Sequence, residues 1–228
     1  MADSADDGES FGPYAAAIVS AEHWSLLAAR TALLSEAQQR TSVFLAVVSA
    51  AIVASALLSD ATGFSTRALA VTVVLLSMVL FLGLTTYLRL VQINRDEKLA
   101  VLAMNRLRNA YLRLEPALRP HFTASPYDDR RGFEISYSLV AATGDRSKSY
   151  FLITTPTVVA TIDADVAAAI AGLLLGRATT NAATLFAAGV VAFALVWSWL
   201  FLVQRRMTDP MRDVTSRFPS PPDSGEPG

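Results

Sequence analysis

One stretch constrains this chain more than any other. From Ala68 to Leu88 (ALAVTVVLLSMVLFLGLTTYL) the sequence runs without a charged residue. At 1.5 Å per residue, about 20 such residues span the roughly 30 Å hydrocarbon core of a bilayer. RLVQINRDEKLAVLAMNRLRNAYLRL follows at once, with Arg89, Arg95, Lys98, Arg106, Arg108 and Arg113 spread along a helical pattern. Neither Gly nor Pro interrupts the passage between them. The sequence therefore predicts one long helix that crosses the membrane and emerges into cytoplasm. The chain of 228 residues is 53% hydrophobic and only 17% charged, and the apolar excess is concentrated in a few long runs rather than dispersed through a soluble core.

Three further runs complete the pattern. Thr41 to Ser59 is uncharged and forms a first span, joined to Ala68–Leu88 by the short polar link Asp60–Arg67. Ala50 with Ala54, and Ala51 with Ser55, give it small-xxx-small spacing, which lets helix backbones approach closely in lipid. A third span starts near Thr155-Pro156, where Thr caps a helix and Pro suits its first turn, and runs to about Leu175. Gly176 to Asn181 makes a turn into the fourth span, Ala182 to Val203, with Trp197 and Trp199 near its final turn. The expected fold is an all-α membrane protein with four transmembrane helices in two hairpins and a cytoplasmic helical layer. Seventeen of the 19 Lys and Arg residues lie before the first span, between the second and third, or after the fourth; Arg67 and Arg177 alone lie in the short loops. That bias predicts that both termini and the central segment are cytoplasmic.

The remaining segments are read from composition and period. Residues 1–13 (MADSADDGES and on) read as a disordered acidic lead without the basic-then-apolar pattern of a secretory signal, so the first span serves as the insertion signal. Residues 14–40 form a cytoplasmic helix, 41–90 the first hairpin, and 91–118 an amphipathic helix continuing the second span. Glu115-Pro116 and Arg119-Pro120 stop that helix. Residues 119–152 read as an irregular polar connector, 153–204 as the second hairpin, and 205–228, rich in Pro, Ser and Asp, as a disordered cytoplasmic tail.

Few residues point to chemistry. Asp163 and Asp165 lie inside the third span, where a carboxylate costs a few kcal/mol and often serves function. The favoured reading puts both at headgroup level near the helix start; the other makes them an intramembrane polar site for a proton or cation. Arg89, Arg95, Lys98, Arg205 and Arg206 are candidate contacts to lipid headgroups. Met104, Leu107, Tyr111 and Leu114 follow three- and four-residue steps and form a candidate face for a partner helix, either residues 14–40 or another subunit. Asp128, Asp129, Arg130 and Arg131 read as a solvated charge cluster in a loop. With no Cys, two His and no HExxH, Walker, GxSxG or GxGxxG pattern, no metal, cofactor or enzymatic activity is expected. The net charge of −1 gives no reason to expect a nucleic-acid partner.

The layout and the stretches EHWSLLAAR (Glu22–Arg30), RLVQINR (Arg89–Arg95), MNRLR (Met104–Arg108) and TTP (Thr154–Pro156) resemble a group of uncharacterised multi-pass membrane proteins of actinobacteria. The resemblance covers nearly the whole chain except its tails and implies no activity. In architecture alone, a helix, a two-span hairpin and a long cytoplasmic helix are similar to the two-span effector domains of bacterial nucleotide-triggered defence systems. The expected function is a non-enzymatic membrane scaffold or interaction protein, associating as a homo-oligomer or with a membrane partner. The alternative is an oligomeric pore or ion-permeable effector gated by its cytoplasmic helices.

Overall fold

A computed structural model describes residues 11–63, 65–140, 154–207 and 214–221. Among them every regular element is helical: α1 (Ala15–Thr62), α2 (Thr66–Leu114), a 3-10 helix (Pro116–His121), α3 (Arg130–Val140), α4 (Thr155–Leu175) and α5 (Ala182–Met207). α1, α2, α4 and α5 are long and apolar enough to cross a membrane, which is compatible with a multi-pass membrane protein.

The helix ends follow local chemistry. No Gly or Pro occurs between Ala15 and Thr62, so nothing breaks the backbone where charge pattern divides residues 14–40 from the first span; α1 is continuous through both. It stops at Gly63, whose φ of 58° lies in the left-handed region that glycine enters without a steric penalty. Ser65 opens α2, its Oγ accepting the Ala68 N–H at 3.2 Å. Thr154 occupies the cap position of α4 with extended backbone and Pro156 stands in the first turn. The Thr154 hydroxyl pairs with the Thr157 hydroxyl at 2.9 Å instead of with a backbone amide. Asn181 caps α5 by accepting the N–H groups of Ala183 (3.0 Å) and Thr184 (3.4 Å).

The chain divides into two compact units. The first comprises residues up to Ala32, Glu97–Asp145 and the chain from Pro210; the second comprises Leu33–Asp96 and Arg146–Asp209. In the second, Phe44, Val79, Tyr87, Leu90, Val159 and Leu200 form an apolar core. α4 and α5 pack against each other. Trp197 Nε1 donates to Thr161 Oγ1 at 3.3 Å, and Gln204 Nε2 to Thr154 Oγ1 at 3.3 Å, so late residues of α5 meet early residues of α4. In the first unit, Val101, Leu102 and Met104 are buried together with the polar residues Asn105, Ser125, Asp128 and Ser136.

Two expectations need correction. Residues 130–140 of the polar connector form α3 instead of irregular chain. The tail is ordered in part: α5 continues to Met207, and residues 214–221 are hydrogen-bonded into the first unit. Both segments were read from composition, which does not reveal partners far away in the chain. The acidic lead, up to residue 10, and residues 141–153, 208–213 and 222–228 lie outside the described residues.

Candidate functional site

Two groups of polar residues stand out, one in each unit. In the second unit, α4 turns Pro156, Val159, Ala160, Asp163 and Val166 to its buried side, a three- and four-residue spacing that places Asp163 among the core residues. Its side chain has no solvent exposure, and neither carboxylate oxygen has a hydrogen-bond partner among the described residues. Asp165, two residues on, falls on the exposed side. Across from Asp163 lies Gly83 of α2, so close that a Cβ there would overlap the carboxylate. The missing side chain makes the room that Asp163 occupies.

The depth of this contact is readable from the helices. Gly83 precedes Arg89 by six residues, about 9 Å along the axis. The Thr154–Gln204 and Thr161–Trp197 contacts put position 195 of α5 level with Asp163, ten residues or about 15 Å from Arg205. Asp163 thus lies about 1.7 turns from the level of Arg89 and about 2.8 turns from that of Arg205, and of the two carboxylates Asp165 alone is exposed.

The basic candidates sit in several environments. Arg89 is held by Glu36 in a bidentate pair, Nε to Oε1 at 2.9 Å and Nη2 to Oε2 at 2.8 Å. Hydrogen bonds from Arg89, then Arg40, pull the Glu36 carboxyl down to about 2, and the same pairing raises the Arg89 guanidinium. Arg95 and Lys98 are half-buried, while Arg205 and Arg206 are exposed at the end of α5. The Tyr87 hydroxyl, buried near Arg89, donates to the Leu200 carbonyl.

In the first unit, the apolar face predicted for a partner helix is covered by the chain itself. Met104 is buried, and Leu107 and Leu114 are half-buried. The Tyr111 ring meets His23 of α1 edge-on at 6.3 Å and stacks on Phe122 at 6.4 Å. Arg30 of α1 pairs with Glu97 of α2 at 2.7 Å, both side chains largely enclosed. Burial, then the neighbouring Arg30 charge, lowers the Arg108 guanidinium.

The second polar group surrounds Asp128, which is fully buried. Its carboxylate accepts from Arg106 Nε (2.6 Å), Ser216 Oγ (2.7 Å), the Arg217 N–H (3.0 Å) and the Phe218 N–H (2.8 Å). The Asp128 N–H donates in return to the Phe218 carbonyl at 3.1 Å. Burial pushes this carboxyl up, but the two backbone amides, Ser216 and Arg106 outweigh it and hold it at about 2. Asp129 caps α3 by accepting the Gly132 N–H at 2.7 Å, and takes the Ser220 N–H and hydroxyl at 2.7 and 2.9 Å. Beneath lies Asn105, fully buried, which donates to the carbonyls of Tyr127 and Gly132 and accepts from Ser136 and Arg108.

Sequence reasoning missed this network, although one signal was present. An Asp three residues before Gly132, at the start of an apolar-periodic run, is a helix cap. Beside the network an open cavity of about 400 Å³ is lined by Arg119, Ser125, Tyr127, Arg131 and Ser220 among others. Among the described residues no cluster of three or more His, Asp or Glu could hold a metal ion. No protein-family model, curated protein or solved structure matches the chain.

Proposed function

We propose that this chain is a multi-pass protein of the bacterial plasma membrane, with both termini cytoplasmic, that acts as a non-enzymatic scaffold. In this reading two transmembrane hairpins carry a folded cytoplasmic head, and the protein works by association with copies of itself or with a membrane partner. The likeness to actinobacterial multi-pass proteins belongs to the same proposal. The observation that carries it is the Asp128 network. The buried polar residues of the head, Asp128, Asn105 and Ser136, direct their hydrogen bonds inward and tie together three segments remote in sequence. Groups used this way hold a surface in shape; catalysis would need them turned toward a cleft. Self-association is supported by α1, where Ala50 and Ala54 are exposed beside Ile52, Val53 and Leu57.

The test is the mass of the purified protein in nanodiscs, together with ion leak from liposomes that contain it. The scaffold reading expects a mass of more than one chain, reduced by Ala50→Leu with Ala54→Leu, and no leak. Steady leak from wild-type protein would overturn it in favour of an ion-permeable effector gated by its cytoplasmic helices.

A further inference from the structure

Asp163 and Asp128 are the two fully buried carboxylates among the described residues, and they differ in one respect. Asp128 has four donors around it; Asp163 has none. Nor can a fixed cation reach Asp163 from a neighbouring span. Residues 41–59, 68–88 and 182–203 contain no Asp, Glu, Lys, Arg or His. Among the described residues, the titratable groups nearest along the two helices are Tyr87, one turn from Gly83 with its hydroxyl engaged by the Leu200 carbonyl, and Asp165 on the exposed side of α4. An ionised carboxylate enclosed by apolar side chains, without a partner, is costly and must be neutralised.

The identity of the neutralising species follows from space and ligand count. Hard metal cations take six or more oxygen ligands, and among the described residues no group of three or more His, Asp or Glu that could hold one includes Asp163. The notch at Gly83 is filled by the carboxylate itself. A proton needs neither additional ligands nor additional room.

We propose that Asp163, seated in the notch left by Gly83, is a proton-binding site inside the helical bundle, and that loss of its proton is coupled to loosening of α2 from α4. With the proton bound, the neutral acid packs against Gly83 and the helices close. Without it, the charge draws water or a counter-ion into the contact, and the two helices part. This inference rests on neither the scaffold nor the ion-permeable reading, since a proton can be bound and released within the bundle in either case.

Infrared difference spectroscopy on the full-length protein in nanodiscs tests the site directly. The carbonyl stretch of a protonated carboxylic acid is separate from carboxylate bands. It is expected at neutral pH, to persist in Asp165→Asn, to vanish in Asp163→Asn, and to move in Asp163→Glu. It is expected to bleach as pH is raised. The chain has no cysteine, so Ala160→Cys, on the buried side of α4 one turn before Asp163, gives a single reporter of helix separation. Its reaction with a small thiol reagent is expected to accelerate at least tenfold across the pH range where the band bleaches, beyond the rise from thiol ionisation, which the Asp163→Asn background measures. A wild-type protein with no acid band at neutral pH overturns the proposal, as does a band that survives Asp163→Asn. If that variant does not fold, the wild-type band and its shift in Asp163→Glu still decide. Reporter rates that match in the two backgrounds overturn the coupling to α2 and α4.

Discussion

Replacing Asp128 with Asn keeps the shape of the side chain and removes its charge. The carboxylate holds Arg106 and three donors from residues 216–218, and these hold it at about 2 against an ordinary value of 3.8. That difference corresponds to about 2.5 kcal/mol favouring the charged form in the folded head. It is a lower figure for the substitution, because the new amide also presents N–H donors to the donors already there; removing one partner of a buried pair costs about 3–5 kcal/mol. The segment 214–221 is not helical and is held by hydrogen bonds to Asp128 and Asp129, so the loss should appear as local opening. Hydrogen exchange at the amides of Arg217 and Phe218 is the assay, and exchange there is expected to rise at least about 60-fold in Asp128→Asn. The pH dependence carries the same sign. A depressed carboxyl contributes stability above its ordinary value of 3.8 and loses it as pH falls toward about 2. Protection in the wild type, corrected for intrinsic rates, is therefore expected to fall within that window and to fall less in the variant, where the Asp129 carboxylate on Ser220 is the remaining lowered acid on the segment. Unchanged exchange in Asp128→Asn would refute the reasoning.

Three further outcomes are expected. Gly132→Ala places a methyl against the Tyr127 carbonyl and 2.9 Å from Ser125 Oγ, so the head should lose about 1–3 kcal/mol, read as a lowered melting temperature. Glu97→Ala leaves Arg30 enclosed beside Arg108 with no carboxylate, and should cost about 3–5 kcal/mol; a melting temperature equal to wild type would show the pair to be idle. Gly83→Ala drives a methyl into the Asp163 carboxylate and should destabilise the bundle by about 1–3 kcal/mol in detergent. Adding Asp163→Ala should recover most of that loss, and strict additivity of the two changes would rule out the contact.

Much of the helical content could be read from residues alone, because the determinants are local. Uncharged runs mark the apolar halves of α1 and α2 and α5 from Ala182 to Val203, and Thr154-Thr-Pro156 marks the start of α4. The continuity of α1 was obscured because a change from charged to apolar sequence at Arg40 looks like a boundary, although the backbone has none. The two polar sites were hidden for a different reason. Asp128 gains its donors from residues about 90 positions later, and Asp163 is made room for by a glycine 80 positions earlier. Neither a charge cluster nor an acidic pair in an apolar run reveals its partner until the helices are in place. The face of Met104, Leu107 and Tyr111 shows the complementary case: its period was legible and residues 14–40 were one of the two partners it allowed, and His23 of that helix meets Tyr111, whereas the stacking of Phe122 was not legible.

Two contacts of the first unit impose a count on the apolar helices if they cross a bilayer. Arg30 touches Glu97, and Asp128 touches Phe218, so each pair lies on one side of any bilayer that the chain enters. The chain between the members of a pair must then cross an even number of times. Among the described residues each interval contains two long apolar segments: the later part of α1 with the earlier part of α2, and α4 with α5. An inserted segment that failed to cross, or one that was translocated alone, would strand Glu97 or Phe218 on the far side. Arg30 or Asp128 would then be left without its partner. The head is in this sense a parity check on insertion, closed for the second interval only when Ser216 to Phe218 reach Asp128.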